Sequence, residues 1–133
     1  MLVEHARNLI GIADATHAEY GVAGTPIVTL LACSLDGTTI DVDLTPQSRL
    51  SRMYGTTRAT EATTCNYGLE PALNRIADEA GMIVAAVDQS GEVRAVERPD
   101  HPFFVATLYQ PQLTSSPAAP HPIWRAFVDA VTC

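Results

Sequence analysis

The sequence has 133 residues, of which 47% are hydrophobic and 17% charged, the size and balance of one globular domain with a core of its own. A formal net charge of −7 leaves no electrostatic footprint for a nucleic-acid backbone or an anionic membrane. All eight basic residues are arginines, so Schiff-base chemistry and any Walker-type phosphate lysine are excluded.

Residues 1–10 read as a helix, because Leu2, Ala6, Leu9 and Ile10 recur at three-to-four spacing and Gly11 follows as a stop. Asp14 offers an N-cap to a short helical turn ending near Gly21. Pro26 opens a run over residues 27–32 that is apolar enough for a strand buried on both faces. After the Asp36-Gly37 turn, Ile40, Val42 and Leu44 alternate with Thr39, Asp41 and Asp43, as in a half-buried strand. The two runs are expected to pair as an antiparallel hairpin. Thr45-Pro46 predicts the N-cap and first position of a helix through Met53, stopped by Gly55. Residues 56–67 are rich in threonine and are expected to be extended. Leu73, Ile76, Ala77 and Ala80 mark a helix from Pro71 to Gly81.

Residues 82–87 and 92–97 form a second hairpin around Asp88-Gln89-Ser90-Gly91, and residues 103–109 form the last strand. A proline-rich loop leads to a closing helix that carries Ile123, Trp124, Phe127 and Val131. Such mixing of elements predicts a single α/β domain over residues 1–133 with a mixed sheet. Asp41, Asp43, Glu92 and Glu97 are expected on its solvated acidic face. No apolar run reaches the roughly 20 residues of a spanning helix, and the start lacks the basic and apolar regions of a signal peptide. Cys33, Cys65 and Cys133 are sparse and without metal-ligand spacing. They read as free thiols in a reducing cytoplasm, Cys33 in the core and Cys133 at the terminus. His5 and His17 read as solvated, and four scattered histidines predict no metal site.

Four stretches resemble the C-terminal glutamine amidotransferase domain of CTP synthase. The first runs from Glu4 to Gly11, with Asp14-Ala15 and Glu19-Tyr20 after it. The second is Tyr54-Gly55-Thr56 with Glu61 and Tyr67, which bracket the family's basic segment. The third and most specific is His101-Pro102-Phe103-Phe104-Val105-Ala106-Thr107, and the fourth runs from Pro120 to Phe127. All occur in the family's order, across residues 4–128. A stand-alone group related to this region, some of whose members carry selenocysteine, is similar through Cys65-Asn66-Tyr67-Gly68 and the Pro-Gln ending of the last strand. The resemblance implies a class I glutamine amidotransferase-like, flavodoxin-like mixed sheet with helices on both faces, lacking the family's N-terminal strands. It also implies an oligomer, or a partner chain that supplies those strands.

Such amidotransferases use a cysteine nucleophile, a histidine base and an orienting glutamate. By the resemblance, the nucleophile position falls just upstream of Met1, and the family's His-Pro-Glu matches Gln110-Pro111-Gln112. An amide has no pKa with which to serve as a base near neutrality. The family's basic segment reads Ala62-Thr63-Thr64-Cys65-Asn66-Tyr67 here, without its arginines. Ordinary glutaminase activity is therefore not expected, and no cofactor is implied. The resemblance brings Cys65 near the glutaminase pocket, as a reactive thiol or else a small buried apolar residue. Glu61 and Tyr109 are its candidate catalytic companions, and Thr64, Asn66, Gln110 and Gln112 are candidate ligand-binding residues. His101 and His121, each in a His-Pro pair, are expected to cap or pack. Three functions remain open: action on a small polar metabolite through Cys65, a non-catalytic pseudoenzyme or subunit, and a glutaminase fragment completed by another chain.

Overall fold

A computed structural model describes residues 1–133 except 22, 33, 71–77, 79, 80 and 133. The expected helix over residues 71–81 lies almost wholly outside the described residues, and Cys33 and Cys133 lie outside them altogether. Two sheets carry the fold. One has five antiparallel strands in the order β4-β3-β6-β7-β8, where β3 is Thr38–Leu44, β4 Arg58–Thr63, β6 Ile83–Asp88, β7 Val93–Glu97 and β8 Val105–Thr107. The other has three, β1-β2-β5, where β1 (Ala15–His17) runs parallel to β2 (Thr25–Leu30) and β5 (Tyr67–Leu69) antiparallel to it.

The five-stranded sheet is covered on both faces. Helix α1 (Leu2–Leu9) and the smaller sheet share a core with Val93 and Val96 of β7 through Ala6, Ile27 and Leu69. Helix α2 (Arg49–Tyr54) and the closing helix α3 (Pro122–Thr132) pack on the opposite side, through Leu50 and Ile123 against Val42, Ala86 and Ala95. The alternation of β8 matches this division, with Val105 against the second core and Ala106 against the first.

Four local expectations are corrected by the structure. The strands β2 and β3 do not form a hairpin with each other; β2 pairs with β1 and β5, and β3 with β4 and β6. Asp14 caps no helix: its carboxylate accepts the Thr25 hydroxyl at 3.1 Å from both oxygens, and His17 caps the 3-10 turn Ala18–Tyr20 that follows β1. Helix α2 starts at Ser48, whose Oγ accepts the Ser51 N–H, rather than at Thr45. Thr45 instead extends the strand register, its N–H bonded to Ala85 O at 2.9 Å and its hydroxyl to Val84 O at 2.7 Å. Glu97 is buried rather than solvated, and Glu92 pairs with the buried Arg94 at 2.6 Å. Asp88 holds the same guanidinium at 2.7 Å.

Two glycines are required by geometry. Gly55 ends α2 in the left-handed region at φ 68, as the sequence predicts, and its N–H satisfies the Ser51 carbonyl. Gly24 has φ +87, and a Cβ placed there would stand 2.3 Å from the Asp14 carbonyl oxygen. That oxygen accepts the Thr25 N–H at the start of β2, so the parallel pairing of β1 and β2 depends on the close approach.

Candidate functional site

The end of β8, the C-terminus of α2, strand β4 and the N-terminus of α3 converge on one buried polar cluster. Tyr54 is the last residue of α2. Glu61 sits on the buried face of β4, opposite Ile40. Tyr109 follows β8, and His121 precedes α3. The side chains of Glu61 and His121 are only 4% and 5% exposed, which makes their bonding partners obligatory.

His121 Nδ1 accepts the Ile123 N–H at 3.2 Å, so this ring nitrogen carries no proton. The remaining ring proton is then on Nε2, which donates to the Glu61 carboxylate at 3.1 and 3.2 Å. The Tyr54 hydroxyl lies 2.7 Å from Glu61 Oε1 and 3.2 Å from the Tyr109 hydroxyl. Its shortest bond is the charge-assisted one to the carboxylate, and the same hydroxyl also lies 3.2 Å from His121 Nε2. One carboxylate thus ties α2, β4 and α3 together, with Tyr109 attached at the end of the chain.

Burial pushes both phenols above the usual tyrosine value. At Tyr54 the Tyr109 and Glu61 neighbours add to it, and at Tyr109 the Glu61 charge adds to it while the bond to Tyr54 opposes. The unfolded phenols ionise near pH 10, well before the folded ones. The stability these groups contribute is therefore present below about pH 10 and lost as the pH rises beyond it. Denaturant midpoints measured from pH 9 to 11 should fall steeply, and Tyr109→Phe should flatten the slope by up to about one proton. An unchanged slope would mean that Tyr109 ionises freely in the folded state.

Beside this cluster opens a cleft of about 540 Å³, within the range of small-molecule sites. Gln110, Pro111 and Gln112 line one side, the last two at the start of the 3-10 turn Pro111–Leu113. Phe103, Trp124 and Phe127 line the other, and Met1 reaches the same space. Every side chain on its walls is uncharged. Trp124 and Phe127 are 41% and 44% exposed, and Phe103 meets Phe127 edge-to-face at 5.3 Å between ring centres. The Gln110 segment is strapped to β4, with its N–H on Ala62 O at 3.0 Å and its Oε1 accepting the Thr64 N–H at 2.7 Å.

The structure therefore gathers some of the expected site residues and separates others. Gln110 and Gln112 line the cleft, and Tyr109 lies at its wall while bonding inward. Thr64 reaches this group through its backbone N–H alone. Glu61 partners Tyr54 and His121; among the described residues no bond joins it to Cys65. The Cys65 thiol is half-buried and donates to Tyr67 O at 3.4 Å, away from the cleft walls. Asn66 faces the other way, its Oδ1 accepting the Ser34 hydroxyl and the Leu35 N–H. His101 and His121 both cap as expected, through Phe103 N–H and Ile123 N–H, but His121 also joins the buried carboxylate. Sequence reasoning missed the aromatic wall. The signal for it was Trp124 and Phe127, three apart on one helix and too large to bury fully.

Among the described residues there is no cluster of three or more His, Cys, Asp or Glu side chains fit to hold a metal ion, and no helix is long and apolar enough to cross a membrane. No protein-family model matches the chain. It is 31% identical to the CTP synthase of Sphingopyxis alaskensis over 147 residues, which takes in 96% of the chain and 27% of that protein. The CTP synthase of Azospirillum brasilense is likewise 31% identical, over 97% of the chain and 28% of the relative. The solved glutaminase domain of Trypanosoma brucei CTPS, with bound acivicin, matches with a TM-score of 0.90 and 25% identity, covering 98% of this chain and 55% of that one. The chain is a relative of the CTP synthase glutaminase domain. It has the class I glutamine amidotransferase fold, and it spans about a quarter of the length of the curated relatives it matches. The resemblance through the His101–Thr107 and Pro120–Phe127 stretches agrees with this relationship. Those stretches flank the Gln110–Gln112 segment, and Phe103, Trp124 and Phe127 of the cleft lie within them.

Proposed function

We propose that this relative of the CTP synthase glutaminase binds a small polar metabolite in the cleft between Gln110–Gln112 and the aromatic wall of α3, without hydrolysing glutamine. The observation that carries the reading is the side chain of Gln110. By the resemblance it occupies the position of the family's histidine base, yet its Oε1 is committed to the Thr64 N–H at 2.7 Å. An amide at this point can orient a ligand but cannot take a proton from a nucleophile. Gln112, at the position of the orienting glutamate, has no charge with which to stabilise an imidazolium. The cleft itself has the volume and the mixture of apolar walls and few polar groups that ligand sites have.

The reading gives the Cys65 thiol no reaction. Its proton is directed to the Tyr67 carbonyl, and among the described residues no donor or positive group bonds the sulfur, as a reactive thiolate would need. Two assays test the proposal together. Incubation with L-glutamine should release no ammonia above the blank, and a panel of small polar metabolites should contain compounds that raise the melting temperature. Cys65→Ser should leave that stabilisation within about twofold in apparent affinity, the scatter expected for a residue outside the contact set. Ammonia release that disappears in Gln110→Ala would overturn the proposal, as would a stabilisation that Cys65→Ser abolishes.

A further inference from the structure

We infer that the cleft selects an uncharged, planar heteroaromatic ring carrying an amide or lactam edge, an inference that rests on the cleft's being the ligand site. Three observations converge on that chemistry. The chain carries a net charge of −7, yet every side chain on the cleft walls is neutral. A free amino acid would bring a carboxylate and an ammonium into a space with no side chain to pair either, and burying unpaired charge is unfavourable. Trp124 and Phe127 stand three residues apart on α3 and are therefore neighbours on one helix face. Phe103 holds the Phe127 ring edge-on at 5.3 Å. Half-exposed aromatic faces of this kind are surfaces on which another flat ring stacks.

The polar side of the cleft supplies the complement to such an edge. Gln110 spends its Oε1 on Thr64, so the group it can still offer is the Nε2 donor. Gln112 is exposed, and its side-chain amide makes no hydrogen bond to any described residue, leaving both donor and acceptor available. A carboxamide presents a donor and an acceptor side by side, the pattern that an amide, lactam or nucleobase edge presents in return. The volume of about 540 Å³ admits one such ring with a substituent rather than an extended polymer.

Trp124 is the single tryptophan of the chain, so its indole N–H resonance reports on the cleft alone. Nicotinamide and uracil are the test rings, L-glutamine is the charged comparison, and propionamide is an amide without a ring. Nicotinamide or uracil should shift the Trp124 resonance saturably, and glutamine and propionamide should bind at least tenfold more weakly. Gln112→Ala and Phe127→Ala should each weaken ring binding fivefold or more; because Gln112 is exposed, its variant should keep the wild-type melting temperature. Glutamine or propionamide binding as tightly as the rings would overturn the ring inference while leaving the cleft as the site. If none of these probes shifts Trp124, and no metabolite that stabilises the protein does so either, both the inference and the binding reading fall.

Discussion

Glu61→Ala should lower the unfolding free energy by about 2–6 kcal/mol, because two buried donors lose their charged acceptor at roughly 1–3 kcal/mol each. Among the described residues the carboxylate is the acceptor that the Tyr54 hydroxyl, at 2.7 Å, and His121 Nε2, at 3.1 Å, have in common. Its removal leaves both donors facing a hole beneath α2 and α3. Glu61→Gln should cost less, about 1–3 kcal/mol, because one amide oxygen still accepts from Tyr54 while the NH2 group opposes the His121 proton. Urea unfolding followed by circular dichroism measures both. A loss below about 1 kcal/mol for Glu61→Ala, the range of ordinary surface changes, would mean that the cluster does not hold the site's walls together. Trp124 and Phe127 belong to the helix that His121 caps, so the same variant should also weaken ligand binding in the cleft.

The second large effect is expected at Glu97, 2% exposed at the end of β7. Its Oε1 and Oε2 accept the Arg49 N–H at 2.8 Å and the Leu50 N–H at 2.9 Å, two of the donors that open α2. Ser48 accepts a third from Ser51. A carboxylate at a helix N-terminus is favoured both by these charge-assisted bonds and by the helix dipole. Glu97→Ala should cost about 2–4 kcal/mol, and Glu97→Gln about half of that. Since α2 has only six residues and ends in Tyr54, the loss should spread to the buried cluster. Combining Glu97→Ala with Tyr54→Phe should therefore cost less than the sum of the two single changes. Strict additivity would show that α2 does not couple the cap to the site.

The elements were more legible in the sequence than their pairings. The alternation over residues 39–44 identified β3, the turn at residues 88–91 identified the β6–β7 hairpin, and Gly55 identified the end of α2. Periodicity says which face of a strand is buried and nothing about which strand lies beside it. Hence the expected pairing of β2 with β3 failed: adjacency in sequence suggested a partner that β5, nearly forty residues on, supplies instead. Glu61 and Glu97 illustrate the same limit. Each occupies a strand position where a glutamate ordinarily faces water, and what buries each is remote in sequence, His121 in one case and the N-terminus of α2 in the other. Within the site, Gln110 and Gln112 were legible because they depart from a motif. Thr64 entered only as a backbone donor, and Cys65 and Asn66, though close in sequence, turn toward Tyr67 and Ser34. The aromatic wall was read only as the apolar face of a helix, since nothing in a periodicity separates a face that packs from one that lines a cleft.

The cleft as the metabolite site is tested most directly by an amide-resolved NMR titration with the metabolite that most raises the melting temperature. The largest shifts should fall on Gln110, Gln112, Phe127 and the Trp124 indole N–H, with Cys65 and Asn66 little moved. Shifts centred on Cys65–Tyr67, with Trp124 unchanged, would contradict it and return the thiol to the centre of the function.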